Sequence, residues 1–350
     1  MNTSGETNRS SVPGPTDYHY DLVRSIQFYS LSVIIPMGII TNILALYVFY
    51  KSSMKRTTAG HYLIALSIAD TFLLYGEFLK WLNSFRANGT FLGITFMNDL
   101  TLWCCLITFI RYFGRLWSSW ITVIITVERY ITVAFPLRVA SMSTITKAKI
   151  VILTEMILTA AAGSYPFFTV ESQPLKNSTT LRCLIHNAEL YNIWNWLVIR
   201  CFELIAPSVL VVIFTTLIIL KITKASSMRK QLSQGMRTRE ARRAFHDHQV
   251  TLVLIGVAMS FVILKTPYVV IFNINDKKKK IWGDELDVWA SFWIYAIYCI
   301  SYVLSVLNYA THFFIFCLCG TAFRVEMTKV FCKKKRLSDT TLTFVSQRSR

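Results

Sequence analysis

A helix needs about 20 consecutive, mostly apolar residues to cross a bilayer. This chain of 350 residues offers such runs at roughly 27–50, 60–83, 101–134, 148–170, 192–220, 249–273 and 287–317. Only 16% of its residues are charged and 53% are hydrophobic, where a soluble domain has about a quarter charged. The expected fold is therefore an all-α membrane protein: a bundle of seven transmembrane helices over 27–317, after a polar tail at 1–26 and before a polar segment at 318–350. No separate soluble domain is expected. The tail holds Pro13 and Pro15 and no apolar core of a cleavable signal, so the first span is expected to be its own insertion signal.

Two independent features orient the bundle. Lys51, Lys55 and Arg56 follow the first span; Lys221, Lys224, Arg229, Lys230, Arg237, Arg239, Arg242 and Arg243 crowd the segment between the fifth and sixth; Lys333, Lys334, Lys335 and Arg336 follow the seventh. Basic segments stay in the cytoplasm, which puts the N-terminus outside. The N-x-[ST] glycosylation acceptors Asn2, Asn8, Asn88 and Asn177 all fall on the side so defined as outer. Lys277 to Lys280 lie in an expected outer loop, against the rule, but Asp276, Asp284, Glu285 and Asp287 accompany them. The formal net charge of +18 is then mostly a property of the cytoplasmic face, suited to the anionic headgroups of a lipid bilayer and not to nucleic acid.

The third span ends in Glu128-Arg129-Tyr130, followed by Ile131-Thr132-Val133-Ala134-Phe135-Pro136-Leu137. A charged pair at a membrane boundary reads by itself as an interface anchor. The whole string TVERYITVAFPL, however, resembles the end of the third helix in the rhodopsin-like (class A) G-protein-coupled receptors, and Cys104 falls where that family carries a cysteine. The resemblance implies a plasma-membrane receptor that binds an extracellular ligand and activates a heterotrimeric G protein through outward movement of the sixth helix.

The resemblance also assigns roles to cysteines. Of the eight in the chain, Cys104 and Cys183 are on the outer, oxidising side. Cys105 competes one residue away, and the family favours Cys104 as the partner of Cys183. Cys317, Cys319 and Cys332 lie beside the membrane on the cytoplasmic side, a setting for palmitoylation or for simple burial. Phe323, Met327, Val330 and Phe331 recur at helical spacing among Arg324, Lys329 and Lys333, which reads as a short amphipathic helix on the inner leaflet.

Inside the spans, Asn42 and Leu66-Ser67-Ile68-Ala69-Asp70 match the family's paired Asn and LxxAD. A bare Asp at mid-membrane costs about 2.5–3.5 kcal/mol and needs a partner. Ser118, Asn308 and Asn42 are candidates, and the family uses this cluster for a sodium ion. A protonated Asp70 bonded to Asn42 is the alternative. The seventh span departs from the family, since NPxxY is replaced by His312-Phe313-Phe314-Ile315-Phe316. The fourth span has no Trp but keeps Pro166; the fifth keeps Pro207 but carries Thr215 where a Tyr is usual. Phe261 and Pro267 match the FxxCWxP hinge of the sixth span, with Lys265 in place of the Trp. A proline there bends the helix. Asp247 and Glu128 are expected to hold Arg129 beside Tyr130 until the sixth helix swings out.

The ligand question concerns the outer half of the bundle. Glu77, Lys80 and Trp81 line the second span there, Arg111 and Arg115 the third, Arg200 and Glu203 the fifth, with Lys265, Tyr268, Tyr298 and Tyr302 completing the ring. Salt bridges of Glu77 with Lys80, and of Glu203 with Arg200 or Arg115, are the structural expectation. The surplus of bases suits an anionic or carbonyl-rich group, and the aromatics suit peptide side chains. The SSWITVIITVERYITVAFPLR wording is most like invertebrate neuropeptide receptors of the FMRFamide-receptor-like kind. An extracellular neuropeptide is the first expectation and a small anionic metabolite the second. Arrestin is a further expected partner once Ser338, Thr340, Thr341, Thr343 and Ser346 are phosphorylated. A secondary transporter would show repeated halves, and these spans are dissimilar. A membrane enzyme would need a catalytic cluster, and the six His form no HExxH while no GxSxG is present.

Overall fold

The computed structural model describes residues 14–87, 101–135, 143–174, 181–232, 238–282, 287–321 and 323–331. Its long helices are α1 (Asp17–Lys51), α2 (Thr58–Ala87), α3 (Thr101–Ala134), α4 (Ile145–Gly163), α6 (Thr238–Trp282) and α7 (Val288–Cys319), with α5 running through three joined segments, Ala188–Trp194, Asn195–Ile205 and Ala206–Leu232. Side-chain caps fix several starts. Thr144 accepts from the Lys147 backbone N–H at 3.3 Å, Asn187 from Leu190 at 3.0 Å, and Asp287 from Trp289 and Ala290 at 3.0 and 3.3 Å. Asp17 in the first turn of α1 and Lys51 in its last oppose the partial charges of the helix ends.

Six of the described helices are long and apolar enough to cross a membrane: Asp17–Lys51, Thr58–Leu82, Ile145–Thr169, Ala188–Lys224, Leu252–Asn275 and Val288–Cys319. The remaining expected span, α3, is a 34-residue helix that carries Arg111, Arg115, Glu128 and Arg129 among its apolar residues. That helix sits in the middle of the bundle, against α2, α4, α5 and α6, while α7 closes the ring by packing on both α6 and α1. Its polar residues are thus turned to protein and not to lipid. By contrast α4 exposes Ile150, Leu153, Ile157 and Leu158, an apolar surface that suits acyl chains.

Between α4 and α5 the chain forms a two-stranded antiparallel hairpin, β1 (Val170–Pro174) and β2 (Leu181–Ile185), with Val170 opposite Ile185 and Ser172 opposite Cys183. The all-α expectation lacks this hairpin. Helix bounds differ too. α1 starts ten residues before the expected span, and Lys277 to Lys280 continue α6 where a loop was expected. Long polar turns at the ends of apolar helices carry no hydrophobic periodicity, so propensity and neighbouring contacts decide where they stop.

The core holds α3 to its neighbours. Trp117, Ile121 and Ile125 of α3 join Leu66 and Ala69 of α2, Val253 and Val257 of α6, and Phe313 and Phe316 of α7 in one buried cluster. Gly114 permits the closest approach: a Cβ there would lie 2.8 Å from the Cα and backbone N of Leu73. Gly114→Ala must push α2 and α3 apart, at a cost of about 1–3 kcal/mol. Thermal unfolding in detergent should show a lowered Tm for Gly114→Ala and none for Gly14→Ala, whose Cβ would meet Val288 Cγ1 at an ordinary 3.7 Å.

Candidate functional site

The hairpin is tied down over one end of the bundle. Cys183 of β2 is disulfide-bonded to Cys104 in the first turn of α3, with their Cα atoms 5.6 Å apart. The Ser172 backbone N–H donates to Thr101 Oγ1 at 3.2 Å, fixing β1 to the same helix end. Cys105 points elsewhere: its thiol lies 3.4 Å from the carbonyl oxygen of Pro166 and 3.3 Å from that of Val170.

In the same half of the bundle, α2, α3 and α7 meet at Glu77. This carboxylate, 2% exposed, accepts from Arg111 Nε at 3.2 Å and from Arg115 Nη2 at 2.5 Å through Oε1, and from the Tyr302 hydroxyl through Oε2. Arg111 and Arg115 are one helical turn apart and share a face, which is why one acid can hold both. Arg115 Nη1 also lies 4.0 Å from Glu203 Oε1. Glu77 thus pairs with the two arginines and not, as expected, with Lys80. Lys80 instead donates to the Tyr302 hydroxyl at 3.4 Å, its Nζ 4.9 Å from the ring centre.

Of the two partners expected for Glu203, Arg115 is the one within reach, and Arg200 turns elsewhere. Arg200 donates to Asn273 Oδ1 at 2.8 Å and lies over the Phe272 ring of α6. Arg200 and Glu203 both sit in the wide-turned π-helical segment Asn195–Ile205 that precedes Pro207. Pro207 has no N–H and crowds the carbonyl of residue 203, and a wider turn relieves both problems. The segment buries Val198, Ile199, Arg200, Glu203 and Leu204 together.

Lys265 is the deepest base of the ring, 1% exposed. Its ammonium donates to Ser119 Oγ and rests between the rings of Phe261 and Tyr309. Above it, Tyr268, Phe272, Tyr298 and Tyr302 form a connected aromatic layer. Trp81 packs against the same cluster. It stacks between Phe28 and Phe78 and donates to the Phe28 carbonyl at 3.3 Å, so it faces α1. Ser119, Asn273 and Tyr309 were missed in the sequence. Tyr309 follows Tyr302 by two helical turns and Ser119 follows Arg115 by one, so their periodicity was readable; nothing in the sequence couples Arg200 to Asn273.

Lower in the bundle, Asp70 is fully buried. Ser118 Oγ donates to its Oδ1 at 2.5 Å, and His312 Nδ1 lies 2.6 Å from its Oδ2. Asn42 donates instead to the Tyr309 carbonyl at 2.9 Å, so the alternative of an Asp70 to Asn42 bond is corrected. The sodium ion expected from the family does not fit this arrangement. A hard cation needs several converging oxygen lone pairs, and beside Asp70 it would meet an imidazole and a hydroxyl already engaged with both carboxylate oxygens. Among the described residues no group of three or more His, Cys, Asp or Glu could hold a metal.

At the far end, Arg129 Nε lies 3.0 Å from Glu128 Oε2. Glu128 Oε1 accepts from Ser143 Oγ at 2.9 Å and Thr58 Oγ1 at 3.3 Å, which ties α3 to α2 and to the approach to α4. Tyr130 packs on Phe214 of α5, ring centres 5.5 Å apart. Phe261 is buried against Val123, Val211 and Ala258, and Pro267 lies within the continuous α6 six residues on. Asp247 is on α6 with its side chain outside the described residues, as are Asn2, Asn8, Asn88, Asn177, Cys332 and the serines and threonines beyond 336. Beyond α7, residues 323–331 are helical. Phe323 packs on Phe49, Phe313 and Phe316, and Arg324 donates to the carbonyls of Cys317 and Leu318 at 2.8 and 2.7 Å. Lys329 donates to Glu326 at 2.9 Å, which holds the pKa of that carboxyl below its ordinary value.

A family model described as "7 transmembrane receptor (rhodopsin family)" matches residues 41–308, well over half of the chain. The thyrotropin-releasing hormone receptor of Mus musculus is 26% identical over 153 residues, a match that covers 43% of this chain and 37% of that protein's length.

Proposed function

We propose, from the premise that the chain belongs to the rhodopsin family of seven-transmembrane receptors, that it is a cell-surface receptor for a peptide and passes the signal to a heterotrimeric G protein. It is a multi-pass membrane protein and not an enzyme. The observation that carries the ligand reading is the buried ring in which Glu77 holds Arg111 and Arg115 while Lys265 is answered by a neutral hydroxyl. The ring lies below the tethered hairpin. In the proposed orientation the N-terminus and hairpin are extracellular at the plasma membrane, as the basic segments require, and the similarity to a receptor named for a peptide hormone supports a peptide ligand. An FMRFamide-like neuropeptide fits the aromatic layer of Tyr268, Tyr298 and Tyr302, with its backbone carbonyls as acceptors for the bases.

Signalling in this reading runs through α6. A ligand shifts the receptor between states only by binding one better, and a group that reaches Lys265 touches α6 two residues before Pro267. The half of α6 beyond the bend then swings out, and Arg129 exchanges Glu128, with Asp247 as its expected second partner, for the cavity that this movement opens to the G protein. The helix at 323–331 lies along the inner leaflet, and the phosphorylated tail recruits arrestin.

Lys265→Met keeps the stem and removes the charge. A charge-assisted hydrogen bond contributes about 1.5–3 kcal/mol, so peptide potency should fall roughly ten- to a hundredfold at unchanged surface level. Arg111→Ala should behave likewise, since its side chain is 13% exposed and shares Glu77 with Arg115. Agonist concentration–response curves beside cell-surface staining test this. Normal potency in both variants would place the ligand elsewhere.

A further inference from the structure

We propose that His312 stands at Asp70 where an external cation would sit, so that the polar core of this receptor is closed to sodium and is held together by the chain's own donors. The inference rests on family membership and on the geometry around Asp70, not on the identity of the ligand. Asp70 on α2 has both of its oxygens engaged from other helices: Oδ1 by Ser118 of α3 at 2.5 Å and Oδ2 by His312 of α7 at 2.6 Å. Two lone pairs do not meet at 2.6 Å, so one hydrogen lies between Nδ1 and Oδ2, and whichever atom carries it Nδ1 keeps no lone pair for a cation beside it.

Asn42 Oδ1 and Asn308 Oδ1 are buried without a hydrogen bond, but each is the oxygen of a neutral amide. A cation lodged among them would lose its hydration shell without gaining an anionic oxygen, and burying an uncompensated charge is costly. Nor does Asn42 turn toward Asp70, since its amide is committed to the Tyr309 carbonyl at 2.9 Å. The result is a three-helix clasp, α2 to α3 through Ser118 and α2 to α7 through His312, whose strength does not depend on the sodium concentration of the medium.

The test uses the full-length receptor purified in detergent. Thermal unfolding is followed in sodium chloride and in equal molarities of potassium and N-methyl-D-glucamine chloride, together with equilibrium binding of radioactive sodium. The wild type should melt at the same temperature in all three salts and bind no sodium saturably. His312→Asn removes the imidazole and adds a carbonyl oxygen, so it should gain a sodium-specific rise in Tm of roughly 3 °C or more. Saturable sodium binding to the wild type that Asp70→Asn abolishes would overturn the proposal. So would a folded His312→Asn receptor that stays indifferent to sodium. Should that variant fail to fold, the wild-type binding measurement decides alone. None of these readouts involves agonist or G protein, so they stand apart from the peptide-receptor reading.

Discussion

Arg115→Ala is expected to remove most of the receptor from the cell surface, not merely to weaken its ligand. Glu77 is 2% exposed and takes its shortest ionic contact, 2.5 Å, from Arg115. Taking one partner from a buried ion pair leaves the other charge without compensation, at about 3–5 kcal/mol. Glu203, 1% exposed and 4.0 Å from the same guanidinium, loses its neighbour as well. Total folding stabilities are about 5–15 kcal/mol, so the loss is a large share. Arg111 at 3.2 Å and the Tyr302 hydroxyl remain on Glu77 and set a limit on the damage. Removing the acid at the same time should therefore be milder: Glu77→Gln with Arg115→Gln should melt above Arg115→Ala, the non-additivity of residues in one network. Thermal unfolding and surface staining of the three receptors give the answer. If Arg115→Ala reached the surface at the wild-type level and melted with it, the ion cluster would not be structural.

The second large effect is expected at Cys183→Ser. The bond to Cys104 closes 79 residues, and removal of a native disulfide costs about 2–5 kcal/mol. The hairpin also loses its fastening to α3, leaving Ser172 to Thr101 and its own ladder. Cys105 cannot substitute, because its thiol is turned to the carbonyls of Pro166 and Val170. Cys183→Ser and Cys104→Ser should therefore lose stability and agonist response to the same extent, and the double variant should be no worse than either. A Cys104→Ser receptor that keeps a disulfide to Cys183 through Cys105 would contradict this, and peptide mapping without reduction detects it.

Much of this was legible because membrane solvation imposes simple rules. Long apolar runs marked the helices, and the position of Glu128-Arg129-Tyr130 marked the end of α3. Residues one turn apart, such as Arg111 and Arg115, could be put on one face from spacing alone. What spacing cannot give is the choice among partners. Glu77 had Lys80 three residues away on its own helix, but it is bound by α3, since an arginine can extend across the interface and offer several donors. The α5 π segment was invisible for a different reason: its side-chain pattern is that of an ordinary helix, and only the backbone around Pro207 widens. The hairpin of β1 and β2 was hidden by shortness, two five-residue strands that the sequence does not separate from loop. His312, which stands where the family's NPxxY begins, is a partner of Asp70.

The central claim is that this membrane receptor couples a peptide to a G protein, and nucleotide exchange measures it most directly. Purified receptor is reconstituted with heterotrimeric G proteins, and exchange is followed while a library of short peptides, amidated and free-acid, is added. The account predicts that a peptide accelerates exchange saturably and that Lys265→Met, folded to the wild-type melting temperature, needs roughly ten to a hundred times more of it. Receptor that is folded by thermal unfolding yet never raises exchange above the receptor-free control, with any peptide in the library and any G protein, would contradict it.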